Sequence, residues 1–352
     1  MVLVQKRANG PRAAAFFLKN RPRGADGKKG ECLFLPDKIK IKAEIPVIFF
    51  QAGDGRHLPF TFCQARHWGG GSPLILLGDA SNRHYRGLEH VPIRDFAREA
   101  IRFRECYVHL SSNSWEFEFF SLARWLVIEE FARRQGIGEF LYLDSDVLLY
   151  ENPSTIAARF PGGRMTLSWP GGVEALGSTP VGAGQSLIRD PSILREFAER
   201  LFHFYTDPAE IRQGKEEVAE DLKRSHGGIS DMWHWTHFAK KHAAEVINSW
   251  QPAKEGVLDM NIAQKAGFRM SGGVKEIRFK NGLPHGFYET EGAWRRFATL
   301  HFGGGCKKIM AKYLGRSFDL SLACAYLQER INKGLPLSKG NHELFGEADR
   351  KT

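Results

Sequence analysis

The sequence predicts an α/β protein with a mixed, mainly parallel central sheet flanked by helices. Short apolar runs recur along the first half of the chain and have the character of buried strands. Segments with apolar residues at helical spacing alternate with these runs, which is the pattern of βαβ units. The chain has 352 residues, enough for one large α/β domain or two smaller ones.

The first half of the chain contains the most regular of these patterns. The predicted strands are Ile45–Phe50, Leu74–Leu77 and the apolar run that ends at Leu143, and the predicted helices are Leu58–His67 and Trp115–Gln135. Ser114 is the predicted N-cap of the long helix, and Gly136 follows its last residue. The segment Glu99–Val108 fits either a short helix or a strand.

Beyond Tyr150 the pattern is less regular. We predict a strand at Met165–Trp169 and short β-like pieces near 256–260 and 275–280, ahead of the segment Thr299–Phe302. Helices are predicted near 191–205, after the segment Gln185–Ile188, and near 232–244 and 307–332. A glycine-rich loop is expected at 171–184, a polar surface segment at 207–226 and a loose tail at 333–352.

Positive charge is concentrated at the N-terminus. The formal net charge of the chain is +10, and residues 1–44 contribute +7 of it through 11 Lys/Arg and 4 Asp/Glu, so the other 308 residues carry +3. We interpret 1–44 as a basic arm and linker that could make peripheral contact with an anionic membrane. A solvated, disordered tail is the alternative. Because the sequence has no zinc-type spacing or nucleic-acid motif, we expect no specific nucleic-acid partner.

Cysteine usage and hydropathy indicate a cytoplasmic protein. The five cysteines are scattered without a CxxC pair, which favours reduced thiols. No apolar run approaches the length of a membrane span. The expected location is therefore the cytoplasm, peripheral to a membrane if the basic arm binds lipid.

Two aspartates one residue apart are the strongest chemical signal. Asp144 and Asp146 follow the apolar run Leu141–Leu143, where a strand leaves the predicted sheet. In extended chain, side chains at positions i and i+2 point the same way, so both carboxylates can face one divalent cation. The alternative is a simple turn in which Asp caps the segment that begins at Asn152.

A downstream segment complements the aspartate pair. His301, Gly304 and Lys307 form an H-x-x-G-x-x-K pattern. An imidazole can complete a metal shell, glycine lets backbone amides approach a phosphate, and lysine supplies a point charge. A core histidine in a glycine turn is the alternative, and we favour the metal site because the two patterns occur together.

Three further positions suit a nucleotide. Gln51 and Asp79 follow the first two predicted strands, where nucleotide-binding sheets meet a base and ribose. Arg124 lies on an apolar turn of the long helix, where a guanidinium calls for an anionic partner such as a phosphate or an aspartate. Turn residues and an exposed helix arginine are the alternatives.

The segment Ser230–Trp235 suits a sugar acceptor. Asp231 can bind hydroxyl groups, and the indole of Trp233 can pack on the apolar face of a sugar ring. A helix N-cap followed by core tryptophans is the alternative, and both can hold at once.

These segments together resemble the glycosyltransferases of the GT-A (Rossmann-like) fold that carry a DxD motif and use nucleotide sugars. The resemblance lies in LYLDSDVLLY, in FEFFSLARWLVIEEF before it and in LHFGGGCKK after it. It implies a glycosyltransferase domain at 45–310, with a nucleotide-binding half at 45–150 and an acceptor-binding half at 151–310. Residues 311–352 would be a C-terminal helix and tail.

The resemblance also implies roles for individual residues. Asp144, Asp146 and His301 would ligate Mn²⁺ or Mg²⁺, and the donor would be a nucleoside-diphosphate sugar, most often a UDP-sugar. Predicted nucleotide-sugar contacts are Gln51, Asp79, Arg124, Ser145, Gly304 and Lys307. The chain departs from family-8-like enzymes after the DxD, where VGAGQSL stands in place of an Asn-x-Gly pattern.

The predicted activity is metal-assisted transfer of a sugar to a hydroxyl acceptor, a glycan or a small molecule. Asp231 would be the general base if the reaction inverts configuration, and would position the acceptor together with Trp233 if it retains configuration. The main alternative is a haloacid-dehalogenase-type phosphatase with Asp144 as nucleophile. A third possibility is a protein that binds nucleotide sugars without catalysis.

Overall fold

The computed structural model describes residues 44–314, except 172, 177–180, 224–226 and 253. The predicted basic arm, its membrane contact and most of the predicted C-terminal helix and tail therefore lie outside the described residues. Within the described range, contacts divide the chain into two units. One contains Pro92–Gly138 and Asp190–Phe238, and the other contains the described parts of Lys42–Val91, Glu139–Arg189 and Ala239–Thr352.

The helices are α1 (Leu58–Trp68), α2 (Arg98–Cys106), α3 (Trp115–Gln135), α4 (Pro153–Ala158), α5 (Ser192–Thr206), α6 (Pro208–Glu217), α7 (Ala219–Lys223) and α8 (Asp231–Lys241). The strands are β1 (Val47–Gln51), β2 (Leu74–Gly78), β3 (Glu89–Pro92), β4 (Phe140–Leu143), β5 (Val147–Leu149), β6 (Met165–Leu167), β7 (Gln185–Ile188), β8 (Val246–Asn248), β9 (Val257–Leu258), β10 (Met270–Ser271), β11 (Val274–Lys275), β12 (Ile277–Lys280), β13 (Leu283–Tyr288) and β14 (Ala293–His301). Short 3-10 helices span Ile93–Phe96, Val173–Ala175 and Gly304–Tyr313.

A seven-stranded sheet forms the centre of the second unit. Its order is β3-β2-β1-β4-β7-β6-β8. Strand β1 runs parallel to β2 and β4, and β6 runs parallel to β8, whereas β7 is antiparallel to β4 and β6. Helices α1 and α4 pack their apolar residues against this sheet. The predicted α/β class with a mixed, mainly parallel sheet is confirmed.

The packing of α1 on the sheet shows why these strands are buried. The rings of Phe49 on β1 and Phe62 on α1 meet edge to face, with centroids 5.3 Å apart, and both side chains are fully buried. Strands β1, β2 and β4 consist largely of residues that water does not reach, as expected for a parallel sheet covered by helices. Their parallel register places the carboxyl ends of all three strands at one edge.

A second sheet brings the distant end of the chain to that edge. Strands β12, β13, β14 and β5 are neighbours in this order, and β9 also pairs with β14. Strand β14 runs antiparallel to β5, with His301 opposite Val147. Because Val147 directly follows Asp146, this register carries His301 to the aspartate pair.

The first unit is mainly helical. Helix α3 packs against α2 and α5, and the rings of Phe197 and Trp235 stack 3.5 Å apart in its core. The Ser114 hydroxyl accepts a hydrogen bond from the amide of Phe117, so the predicted N-cap of α3 is confirmed. The ambiguous segment near 99–108 is helix α2, and the polar segment 207–226 contains helices α6 and α7.

None of the helices described between residues 44 and 314 is both long and apolar enough to cross a lipid bilayer.

Candidate functional site

The three predicted metal ligands converge at the carboxyl end of β4. The ligand atoms of Asp144, Asp146 and His301 lie within 4.8 Å of one another. The Nε2 atom of His301 is 3.2 Å from Asp146 Oδ1 and 4.0 Å from Asp144 Oδ2. Two carboxylates and one imidazole are a donor set that suits Mn²⁺ or Mg²⁺. The chemistry of these side chains therefore fits a divalent cation.

The aspartate pair lies in a turn whose backbone is held on both sides. The amide of Asp144 donates to the carbonyl of Gly184 at 2.7 Å, and the carbonyl of Asp144 accepts from Val147 at 3.1 Å. The hydroxyl of Tyr142 donates to Asp144 Oδ1 at 2.6 Å. The aspartates therefore lie in a turn, as the alternative interpretation expects, and their carboxylates still converge with His301. The next helix, α4, is capped by Asn152 rather than by an aspartate.

Gly184 is a residue of the site that the sequence analysis missed. A Cβ atom at this position would lie only 2.4 Å from Asp144 Oδ2 and 3.2 Å from His301 Cε1. The space that a side chain would need is therefore occupied by two of the candidate ligands. In the sequence, Gly184 is one of two glycines in the VGAGQSL segment, and nothing there distinguishes it from other glycines of the chain.

Opposite charges shift the pKa values of His301 and Asp146. Burial alone would lower the pKa of His301, but Asp146, Asp144 and Asp259 outweigh it and raise this pKa to about 9. Burial alone would raise the pKa of Asp146, but His301, Lys307 and His57 hold it well below its usual range. Because its pKa is raised, protonation of His301 and binding of a cation at its Nε2 would compete.

The predicted phosphate-binding segment adjoins the aspartates. The ammonium of Lys307 lies 3.0 Å from Asp146 Oδ2, and 41% of its side chain is exposed. Gly304 begins the 3-10 helix with φ at +62°, a left-handed conformation that favours glycine. A Cβ at Gly304 would meet open space, so its backbone is approachable.

Ser145 connects the aspartate turn to β1 and α1. Its hydroxyl donates to Gln51 Oε1 at 2.6 Å, and its carbonyl accepts from Thr61 at 2.6 Å. His57 Nε2 lies 3.3 Å from the same hydroxyl. Burial and the charge of Lys307 lower the pKa of His57 to about 4, against the opposing effect of Asp146. His57 and Thr61 carried no sequence signal, because they stand at the start of a helix that was predicted for its apolar residues.

Asp79 lies at the same edge of the sheet, in a turn after β2. Its Oδ2 accepts from the amide of Gly53 at 2.9 Å, and its Oδ1 accepts from the amide of Ser81 at 2.9 Å. Asn82 donates to the carbonyl of Gln51 at 2.8 Å and links the two loops. The structure therefore brings Asp79 and Gln51 to one edge of the sheet, where the Asp79 carboxylate holds the two loops by hydrogen bonds. Their contacts with a nucleotide remain predictions.

The remaining predicted residues belong to the first unit. Arg124 and Asp231 form an ion pair with Nη2 and Oδ2 2.6 Å apart, which is one of the two partners expected for this arginine. Trp233 packs on His237, with ring centroids 3.9 Å apart, and its amide donates to the Ser230 hydroxyl. Ser230 thus caps α8, while the catalytic and acceptor roles of Asp231 and Trp233 remain predictions.

Comparison with known proteins finds weak similarity to solved structures only. No family model matches the sequence, and no curated protein matches it. Among solved structures, mouse xyloside xylosyltransferase 1 in its apo form is similar at 11% identity and a TM-score of 0.43, covering 62% of this chain and 86% of that one. The galactosyltransferase LgtC in complex with donor and acceptor sugar analogues is similar at 15% identity and a TM-score of 0.40, covering 81% and 94%. Similarity at this level adds nothing to the functional argument, which therefore depends on the site.

Proposed function

We propose that the protein is a divalent-metal-dependent glycosyltransferase that moves a sugar from a nucleoside-diphosphate donor to a hydroxyl group of a glycan or small molecule. UDP-sugars are the first donors to test, and Mn²⁺ or Mg²⁺ the first cations. The observation that supports the proposal is the convergence of Asp144, Asp146 and His301, with Lys307 beside them, at the carboxyl end of a parallel strand.

Each residue of the cluster has a proposed task. Asp144, Asp146 and His301 would hold the cation, which when bound supplies positive charge to stabilise the departing diphosphate. Lys307 would add a second positive charge, and the backbone at Gly304 would approach the phosphates. Ser145 and Gln51, joined by a hydrogen bond, would contact the nucleotide sugar together with Asp79.

The Arg124–Asp231 pair has a separate proposed part. We propose that Asp231 is the general base if the reaction inverts configuration, and that it positions the acceptor if the reaction retains configuration. Arg124 remains a candidate nucleotide-sugar contact, and Trp233 a candidate acceptor contact.

A haloacid-dehalogenase-type phosphatase is not favoured. In that class the strand that carries the nucleophile opens the domain, whereas β4 here follows β1 and β2 in the same sheet. Leu148 also stands where a threonine or valine is usual. A non-catalytic nucleotide-sugar-binding protein would use the same cluster, so only an activity assay separates it from the proposed enzyme.

The test is a thermal-shift screen of the full chain with UDP and nucleotide sugars, with and without Mn²⁺. A ligand at one hundred times its Kd stabilises the folded protein by about 2.7 kcal/mol, so a true donor should raise Tm only when the metal is present. Asp146→Asn should abolish this rise. The matched control is Asp207→Asn, because Asp207 caps α6 and asparagine caps equally well.

Two results would contradict the proposal. Hydrolysis of an aryl phosphate without any stabilisation by nucleotide sugars would establish the phosphatase. Stabilisation by a nucleotide sugar, with neither hydrolysis nor transfer across a broad set of hydroxyl acceptors, would establish a binding protein.

A further inference from the structure

A lysine and an aspartate without any solvent exposure form an ion pair behind His301. Lys275, on β11, places its Nζ 2.8 Å from Oδ1 of Asp259, which follows β9, and both side chains are 0% exposed. Removing two charges from water costs several kcal/mol per ion, and apolar residues often serve stability as well or better. A fully buried pair therefore calls for a role besides stability.

Asp259 and its neighbour hold His301 at two points. The amide of His301 donates to Asp259 Oδ2 at 3.2 Å. Its ring nitrogen Nδ1 lies 2.7 Å from the carbonyl oxygen of Met260. A carbonyl oxygen can only accept, so Nδ1 carries a hydrogen and Nε2 is left facing Asp144 and Asp146.

Lys275 in turn holds the backbone that carries this carbonyl. Its ammonium donates to the carbonyl of Asn261 at 2.6 Å, and its amide donates to the carbonyl of Ile262 at 2.8 Å. The amide of Ile262 donates to the carbonyl of His301 at 2.8 Å. The Lys275 ammonium thus contacts both neighbours of Met260, the Asp259 carboxylate and the Asn261 carbonyl. These two contacts fix the position of the Met260 carbonyl.

We propose that Lys275 and Asp259 are positioning residues for His301. The buried pair keeps the Met260 carbonyl on Nδ1 and the Asp259 carboxylate on the His301 amide. It thereby fixes the tautomer and ring orientation that present Nε2 to a cation, although neither side chain ligates the metal. Partners of this kind commonly change metal affinity by ten- to a hundredfold. The inference rests on the proposed metal site.

The experiment replaces the pair by apolar residues of similar size. Lys275→Met/Asp259→Leu should keep the fold, because a well-packed apolar pair can substitute for a buried ion pair. Its Kd for Mn²⁺, measured by electron paramagnetic resonance of free Mn²⁺, should rise by about ten- to a hundredfold. In a His301→Ala background, where the ring is gone, the same double replacement should cause no further rise.

The matched control removes another ion pair of the same unit. Arg164 and Glu245, 2.6 Å apart, precede β6 and β8 at the sheet edge opposite the carboxyl end of β4. Arg164→Met/Glu245→Leu should leave the Mn²⁺ affinity unchanged. A loss of affinity as large as that of the Lys275/Asp259 variant would overturn the inference, because it would show a general effect of removing ion pairs.

Two further measurements decide the matter if the apolar variant does not fold. Lys275→Gln/Asp259→Asn keeps the hydrogen-bonding groups without charge, so its Kd for Mn²⁺ should stay within about tenfold of the wild-type value. Nitrogen-15 spectra of the wild type with bound Mg²⁺ should show the hydrogen of His301 on Nδ1, and a hydrogen on Nε2 would overturn the inference.

Failure of this inference differs from failure of the proposed function. If the wild type and the apolar variant bind Mn²⁺ equally well, the positioning role is wrong and the metal site stands. The same holds if the double replacement still lowers the Mn²⁺ affinity in the His301→Ala background. If the wild type does not bind Mn²⁺ at all, both are wrong.

Discussion

Alanine at position 184 should weaken metal binding while leaving the fold intact. The new Cβ would lie 2.4 Å from Asp144 Oδ2, whereas ordinary contacts begin at 3.4 Å. The carboxylate would have to retreat by about 1 Å, since the overlap is on the steep part of the repulsive wall. It cannot turn away freely, because the Tyr142 hydroxyl holds its other oxygen at 2.6 Å.

The size of the effect follows from this displacement. Misplacing a ligand or reacting group by about 1 Å costs on the order of a hundredfold in rate, and disturbed metal ligands lose about ten- to a hundredfold in affinity. We therefore expect the Kd for Mn²⁺ to rise by ten- to a hundredfold, or about 1.4 to 2.7 kcal/mol. The free energy of unfolding should change by less than about 1 kcal/mol, because only a side-chain end must move and alanine restricts the unfolded chain.

The assay is Mn²⁺ titration followed by electron paramagnetic resonance, with Tm measured on the same samples. Gly138→Ala is the matched control, since a Cβ there meets nothing within 4 Å and its φ lies outside the left-handed region. A folded Gly184→Ala protein whose Kd for Mn²⁺ stays within twofold of wild type would refute the reasoning. It would mean that Asp144 is not a ligand or that the site adapts without loss.

Three other predictions concern the helical unit. Burial first, and Asp231 second, raise the pKa of Glu118 to about 7 from 4.5, so the stability it contributes is complete below pH 4.5 and is lost as pH rises through 7. Glu118→Gln stays neutral, and in urea denaturation its unfolding free energy relative to wild type should be larger at pH 8 than at pH 4 by up to about 3 kcal/mol; an unchanged difference would contradict this. Ser114→Ala should cost about 1 kcal/mol of stability through loss of the α3 cap, with Mn²⁺ affinity unaltered, and a loss of affinity would count against the assigned role. Asp231→Asn should lower kcat for sugar transfer at least a hundredfold if Asp231 is the base, with unaltered Mn²⁺ affinity, and wild-type kcat would exclude that role.

The parts of the fold that the sequence predicts are those with local signals. Strands β1, β2 and β4 are continuous apolar runs, and α3 has apolar spacing with Ser114 and Gly136 at its ends. Strand β13 was missed because Pro284 and Gly286 interrupt its pattern, and both are rare inside strands. Helices α6 and α7 were missed because their sequences are mostly polar, and in α6 only Gly214 is buried.

The residues of the candidate site likewise fall into those with a local sequence signal and those without one. The sequence identifies Asp144, Asp146 and His301 as candidate ligands, because carboxylates after an apolar run and a histidine before glycines are local patterns. Gly184 and Lys275 could not, since their importance comes from contacts with residues far along the chain. Asp259 had no usable signal, because it lies inside the β-like piece predicted near 256–260 and follows strand β9 only in the structure.

The pairing of β5 with β14 has a consequence for how the protein is made. Residue 147 must find residue 301 before the imidazole reaches the carboxylates, and closing so long a loop is among the slow steps of folding. During synthesis, the aspartate turn emerges from the ribosome well before β14 does. Until β14 docks, the aspartates lack the imidazole, so the proposed metal site would stay incomplete until nearly all of the described chain has been translated. In the proposed site, metal uptake would thus follow the docking of β14, and a chain truncated before residue 293 should not acquire the site.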